Sequence, residues 1–160
     1  MNGIELVLRA LHHGEHHLAG ELSAVAERHR AEHEVHHVAT DLAAWSHEHV
    51  RLLSDTARTR GLDLDGAPDP SSTGLLMTRS RTDAPDAKEP GLLLLRDLCE
   101  LHLAATRNSL YWEMLAQAAQ AGKEGELLEL ASSCHPRTLR QLRWSNSLIK
   151  VLSPQTLTSL

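Results

Sequence analysis

The sequence contains no phenylalanine and a single tyrosine, so its interior must be built from Leu, Ala and Val with help from three tryptophans. Cysteine is also scarce. Cys99 and Cys134 fall on different expected helices, at unequal distances from the turn that joins them, which disfavours a disulfide. No stretch approaches the roughly 20 apolar residues of a membrane span, and Met1 to Leu11 does not read as a signal peptide. No membrane association is therefore expected, and a reducing cytoplasmic compartment is the default. The formal net charge is -5 with no basic stripe, so nucleic acid is not an expected partner. No Gly-rich phosphate loop and no Ser-His-Asp spacing is present to support nucleotide binding or hydrolysis.

Histidine, by contrast, is abundant. The 12 imidazoles make the charge of the chain steeply dependent on pH below about 6.5. Hydrophobic patterning is helical throughout. Ile4, Leu8, Leu11, Glu15, Leu18, Leu22, Val25 and His29 are spaced alternately four and three apart, which predicts a first helix over 4–30. Val35, Val38, Leu42, Trp45, His49, Leu52 and Thr56 form a second seam, out of phase with the first, over 34–60. The phase slip implies a tight turn near Ala31 to Glu34, although no Gly or Pro marks it. The alternative, one helix of nearly 60 residues, would be about 85 Å long.

From Gly61 to Gly91 the composition changes to Gly, Pro, Asp, Ser and Thr, the mark of a long crossover with a short ordered piece at Leu75 to Met77. The DxDG at Asp63 to Gly66 lacks the later ligands of a calcium loop. A third helix is expected over 92–121, ending at Gly122, and a fourth over 126–152. Pro136 should kink the fourth helix and the Ser-Pro at 153–154 should stop it. The order short turn, long crossover, short turn predicts an all-α chain folded as a single four-helix bundle.

Four polar residues fall at the centre of the apolar stripe of their respective helices: Glu15, His49, Glu113 and His135. At about 100° per residue, the apolar neighbours of Glu15, His49 and His135 lie within roughly 80° of each. In the third helix His102, Thr106, Ser109 and Glu113 run down the middle of a broad apolar arc. Glu15 and His49 each lie about 17 residues from the first turn, and Glu113 and His135 about 11 from the second, so each hairpin should bring a carboxyl and an imidazole to one level. Polar groups in such positions are costly unless paired, and a buried inward-facing site is the consequence.

This pattern resembles the ferritin-like superfamily, in which two helices each give a Glu and the other two an E-x-x-H pair. Here Glu15 and Glu113 stand for the single glutamates and His49 and His135 for the motif histidines. The glutamates three residues before each histidine are replaced by Ser46 and Ser132, giving E…SxxH…E…SxxH. The resemblance implies a ferritin-like bundle that binds metal at these four residues, with the reaction unknown. It also implies a homodimer formed through the first two helices. The reduced set suits one divalent ion, with zinc or iron most compatible with the donors. A hemerythrin-like site would need more histidine than His102 and His135 supply from the last two helices. The competing reading is a non-enzymatic scaffold or interaction bundle, in which buried Glu–His pairs hold the helices in register without metal.

Other features have plainer readings. His12/His16 and His13/His17 are i,i+4 pairs, and His29, His33 and His37 form a ladder beside His36; this face is either solvated or a weak metal site. His29 falls on the seam near the turn, where it would cap the bundle end. Trp45, Trp112 and Trp144 are expected in the core, and Cys134 as a buried, inert thiol.

Overall fold

The structure, a computed structural model, describes residues 3–65 and 89–159. These form four helices, α1 (Gly3–Arg28), α2 (His33–Thr59), α3 (Pro90–Ala121) and α4 (Gly125–Thr158), and no strand among the described residues. None of these helices is long and apolar enough to cross a membrane. Residues 66–88, which include the short piece expected at Leu75 to Met77, lie outside the described residues.

Helix direction follows from pairs of touching residues. Glu15 meets Trp112 and His29 meets Asp97, so α1 and α3 are antiparallel. Leu42 meets Gln141 and Glu48 meets Arg137, so α2 and α4 are antiparallel as well. With two antiparallel hairpins, α2 and α3 must run parallel. The connection between them therefore leaves at one end of the bundle, where Arg60 pairs with Glu124, and re-enters at the other, where Gly91 packs on Thr156. A four-helix bundle with one crossover results.

Local chemistry explains the ends. The α1–α2 turn manages without Gly or Pro because His36 donates from Nδ1 to the Ala26 carbonyl at 2.8 Å, covering an acceptor that the end of α1 leaves free. At the end of α2, Gly61 has φ +74°, with Leu62 N–H bonded to Ala57 O and Gly61 N–H to Arg58 O. This is a Schellman motif with glycine in its left-handed position. The same pair of bonds closes α3, from Glu124 to Ala119 and from Lys123 to Gln120, but here Lys123 takes the left-handed conformation at φ 56°. Pro90 begins α3, where its missing N–H costs nothing.

Helix α4 corrects one expectation. It contains Pro136 and continues through Pro154 to Thr158, rather than stopping at Ser153. Tertiary contact outweighs the local breaker: Leu152 packs on the core, Thr156 lies against Gly91, and the Ser153 hydroxyl bonds the Ile149 carbonyl.

The buried apolar residues fall into two clusters. One contains Leu8, Leu11, Leu53, Trp112, Leu115 and Leu127; the other contains Leu18, Leu22, Val35, Leu42, Leu98 and Leu101. Between them, on every helix, the buried positions are polar: Glu15; Ser46 and His49; Asn108 and Ser109; Thr138, Gln141 and Ser145. Glycine at position 14 lets α3 approach this level, because a Cβ there would lie 2.1 Å from Asn108 Oδ1. Gly14→Ala is therefore expected to cost about 1–3 kcal/mol through overpacking, more than the ~1 kcal/mol that alanine adds to helix propensity. The urea midpoint should fall, and adding Asn108→Ala should recover part of it. A midpoint equal to wild type would show that Asn108 yields freely.

Candidate functional site

The mid-bundle polar layer centres on Glu15, which is 0 % exposed. Its position follows from the α1 seam, one step between Leu11 and Leu18 on the face that points at the bundle axis. Each of the other three helices sends a group to this carboxyl. Trp112 of α3 donates its indole N–H to Oε1 at 3.0 Å, and Thr138 of α4 donates its hydroxyl to the same oxygen at 3.4 Å. His49 of α2, also 0 % exposed, places Nδ1 3.3 Å from Oε2 and packs edge-on against the Trp112 ring. One turn away, Gln141 of α4 donates to the Leu42 carbonyl at 3.0 Å and to the Ser46 hydroxyl at 2.9 Å. Several atoms of the layer have no hydrogen-bond partner within the protein: Glu15 Oε2, both nitrogens of His49, Asn108 Nδ2 and Gln141 Oε1.

Of the four residues expected to converge, the structure brings together Glu15 and His49. Glu113 lies on the solvent-exposed face of α3, and His135 is half-buried and hydrogen-bonded through Nε2 to Ser109 Oγ at 2.9 Å. Both corrections arise from helix phase. The inward line of α3 is Leu101, Ala105, Asn108, Trp112 and Leu115, while His102 and Ser109 of the expected line turn toward α4. Leucines on nearly every side of α3 hide this phase, and Leu103, Leu110 and Met114 remain exposed. In α4 the buried stripe is Leu127, Ala131, Cys134, Thr138, Gln141, Ser145 and Leu148, about one residue away from the line through His135. Sequence periodicity missed Thr138, Gln141 and Asn108. The available signal was the polar residues Thr138, Gln141 and Ser145, which continue at heptad spacing between Cys134 and Leu148.

These positions bear directly on metal chemistry. The two positions that carry glutamate in the ferritin-like pattern hold Ser46, hydrogen-bonded to Gln141, and Ser132, which faces solvent. One carboxyl and one imidazole meet in the layer, and among the described residues no three His, Cys, Asp or Glu side chains converge where they could hold a metal ion. The donor set does not fit a two-metal centre. Compared with known protein families, with curated proteins and with solved structures, the chain matches none.

Around the layer, Arg137 bridges to Glu48 at 2.9 Å and lies 5.6 Å above the Trp45 ring; its guanidinium holds the Glu48 carboxyl below the usual range. Cys134 lies on the inward stripe beside Glu15. Burial first, and the Glu15 charge second, push its thiol up to about 12. Cys99 is free and exposed. Because the thiolate is the reactive form, an aromatic disulfide reagent at pH 8 is expected to modify Cys99 rapidly and Cys134 only as fast as the protein unfolds. Two rapid thiols in the native protein would show that the polar layer opens to solvent.

Proposed function

We propose that this chain is a non-enzymatic interaction module, a ferritin-like bundle whose mid-bundle polar layer fixes helix register instead of carrying a metal pair. The observation that carries this reading is the Glu15 carboxyl, fully buried, with Trp112 and Thr138 bonded to Oε1 and His49 set beside Oε2, each from a different helix. A buried oxygen that finds its donors only in one alignment penalises every slipped alignment, which is the best-attested use of such groups. The single crossover between parallel α2 and α3 supports the ferritin-like assignment. The exposed Leu103, Leu110 and Met114 on α3, 58 %, 51 % and 44 % accessible, support an interaction role. They favour association through α3 over the homodimer through α1 and α2.

A second reading, one divalent ion held by Glu15 and His49, is favoured by the unpartnered Glu15 Oε2 and His49 Nδ1, which face each other at 3.3 Å. Imidazole and carboxyl donors suit zinc or iron(II). The two readings separate on variants of the pair. For a register device, Glu15→Ala should cost about 3–5 kcal/mol, because it leaves buried polar groups without their partner. Replacing both residues, Glu15→Leu with His49→Leu, should restore most of that loss. Metal content by elemental analysis should be the same in wild type, Glu15→Gln and His49→Gln. Loss of about one equivalent of metal in both single variants, together with loss of metal-dependent stabilisation, would replace this proposal by the second reading.

A further inference from the structure

A second polar cluster stands apart from the mid-bundle layer, where the outer face of α1 meets the end of α2. His12 Nε2 lies 3.3 Å from Asp65 Oδ1 and 3.1 Å from Ser54 Oγ. The other Asp65 oxygen faces Arg58 at 3.6 Å, while Oδ1 faces the histidine and accepts from the Ser54 hydroxyl at 3.5 Å. His12 and Asp65 border an open cavity of about 380 Å³ that His13, His16 and Arg9 also line, with Val50 and Leu64 as its apolar wall. His16 follows His12 by four residues and so projects from the same face of α1 one turn on. His16 is exposed, so its ring is free to turn.

The spacing is that of a tetrahedral ion. Zinc–nitrogen and zinc–oxygen bonds of about 2.0–2.1 Å place neighbouring ligand atoms about 3.3–3.4 Å apart, the separation already held by His12 and Asp65. Two histidines at i,i+4 with a carboxylate from another segment are a recurrent donor set for this ion. The ligands must be deprotonated. Only two of the three donors stand together in the structure, consistent with the lack of a converged three-residue group among the described residues; the third arrives by a side-chain rotation of His16. We propose that His12, His16 and Asp65 form a surface site for a zinc-class divalent cation, with water completing the shell. The ion would clamp the segment after α2, through Asp65, onto α1.

The test is titration of the full chain with zinc by calorimetry and with cobalt(II) by visible absorption, in wild type and in His16→Asn, Asp65→Asn and His13→Asn. His16→Asn is the decisive variant, because His16 is exposed and a purely structural His12–Asp65 tie would not depend on it. The expected result is one equivalent bound by wild type with a tetrahedral cobalt spectrum. His16→Asn and Asp65→Asn should each weaken binding at least tenfold, and His13→Asn should leave it unchanged. Wild-type affinity in His16→Asn and Asp65→Asn would overturn the proposal. So would loss in His33→Asn or His37→Asn instead, which would move the ion to the stacked pair of α2. Loss in Glu15→Gln with His16→Asn unaffected would place the ion in the mid-bundle layer, and so separates failure of this site from failure of the metal-free reading of Glu15.

Discussion

A carboxyl group with no access to water is the constraint around which this bundle is organised. Burial of Glu15 without partners would cost several kcal/mol, more than most single apolar contacts return. The structure offsets part of that cost at Oε1, with an indole N–H from α3 and a threonine hydroxyl from α4, and sets an imidazole from α2 beside Oε2. Three helices are thereby aligned to one atom group on the fourth. Apolar packing alone would not do this, because leucine seams tolerate repacking and slippage. The apolar core accordingly falls into two clusters on either side of the polar level, and each is free to pack by shape because register is set between them.

The two ends of the bundle reinforce this alignment with different chemistry. Where α2 ends and α3 turns into α4, two Schellman motifs close the helices and Arg60 joins Glu124 across the gap. At the opposite end the tie is buried: His29 and Arg28 of α1 both reach Asp97 Oδ2, at 2.7 and 2.8 Å. His29, which the seam alone placed near the turn as an end cap, caps the bundle by bonding a different helix. Asp97 is 3 % exposed and depends on these partners for its place in the interior.

The same polar level decides what the amino-acid sequence reveals. In α1 and α2 Glu15 and His49 each have apolar seam residues on both sides, so the phase is legible and the two residues meet as the spacing requires. The spans of these two helices and the turn between them were legible for the same reason. In α4 the inward face carries Thr138, Gln141 and Ser145, while Leu128, Leu139, Leu142 and Ile149 are only half-buried. Hydrophobic periodicity therefore selects the flank of the helix rather than its core face, and His135 is drawn to the wrong side with it. In α3 the difficulty is the reverse: apolar residues occupy so many sides that no stripe dominates, and Glu113 looks central although it is exposed. A polar core at mid-bundle is invisible to a method that equates interior with apolar, and becomes legible only when Thr, Gln, Ser and Asn at heptad spacing are treated as inward candidates.

Abundant histidine is a poor guide to function here, because environment sorts the imidazoles into distinct roles. His49 is enclosed between Glu15 and Trp112, and His29 is committed to Asp97. His36 and His102 give Nδ1 to backbone carbonyls and act as helix and interhelix ties. His29, His36 and His102 are each held by a bond within the fold that use as a ligand would break, and His49 is packed against Trp112 in the interior. The exposed face of α1 differs. His12 retains a carboxylate neighbour across an open cavity, and His16 beside it is exposed and able to turn. Binding requires donors that an ion can reach from solvent, and on this molecule that condition separates the open outer face of α1 from the enclosed His49 and from the bonded His29, His36 and His102.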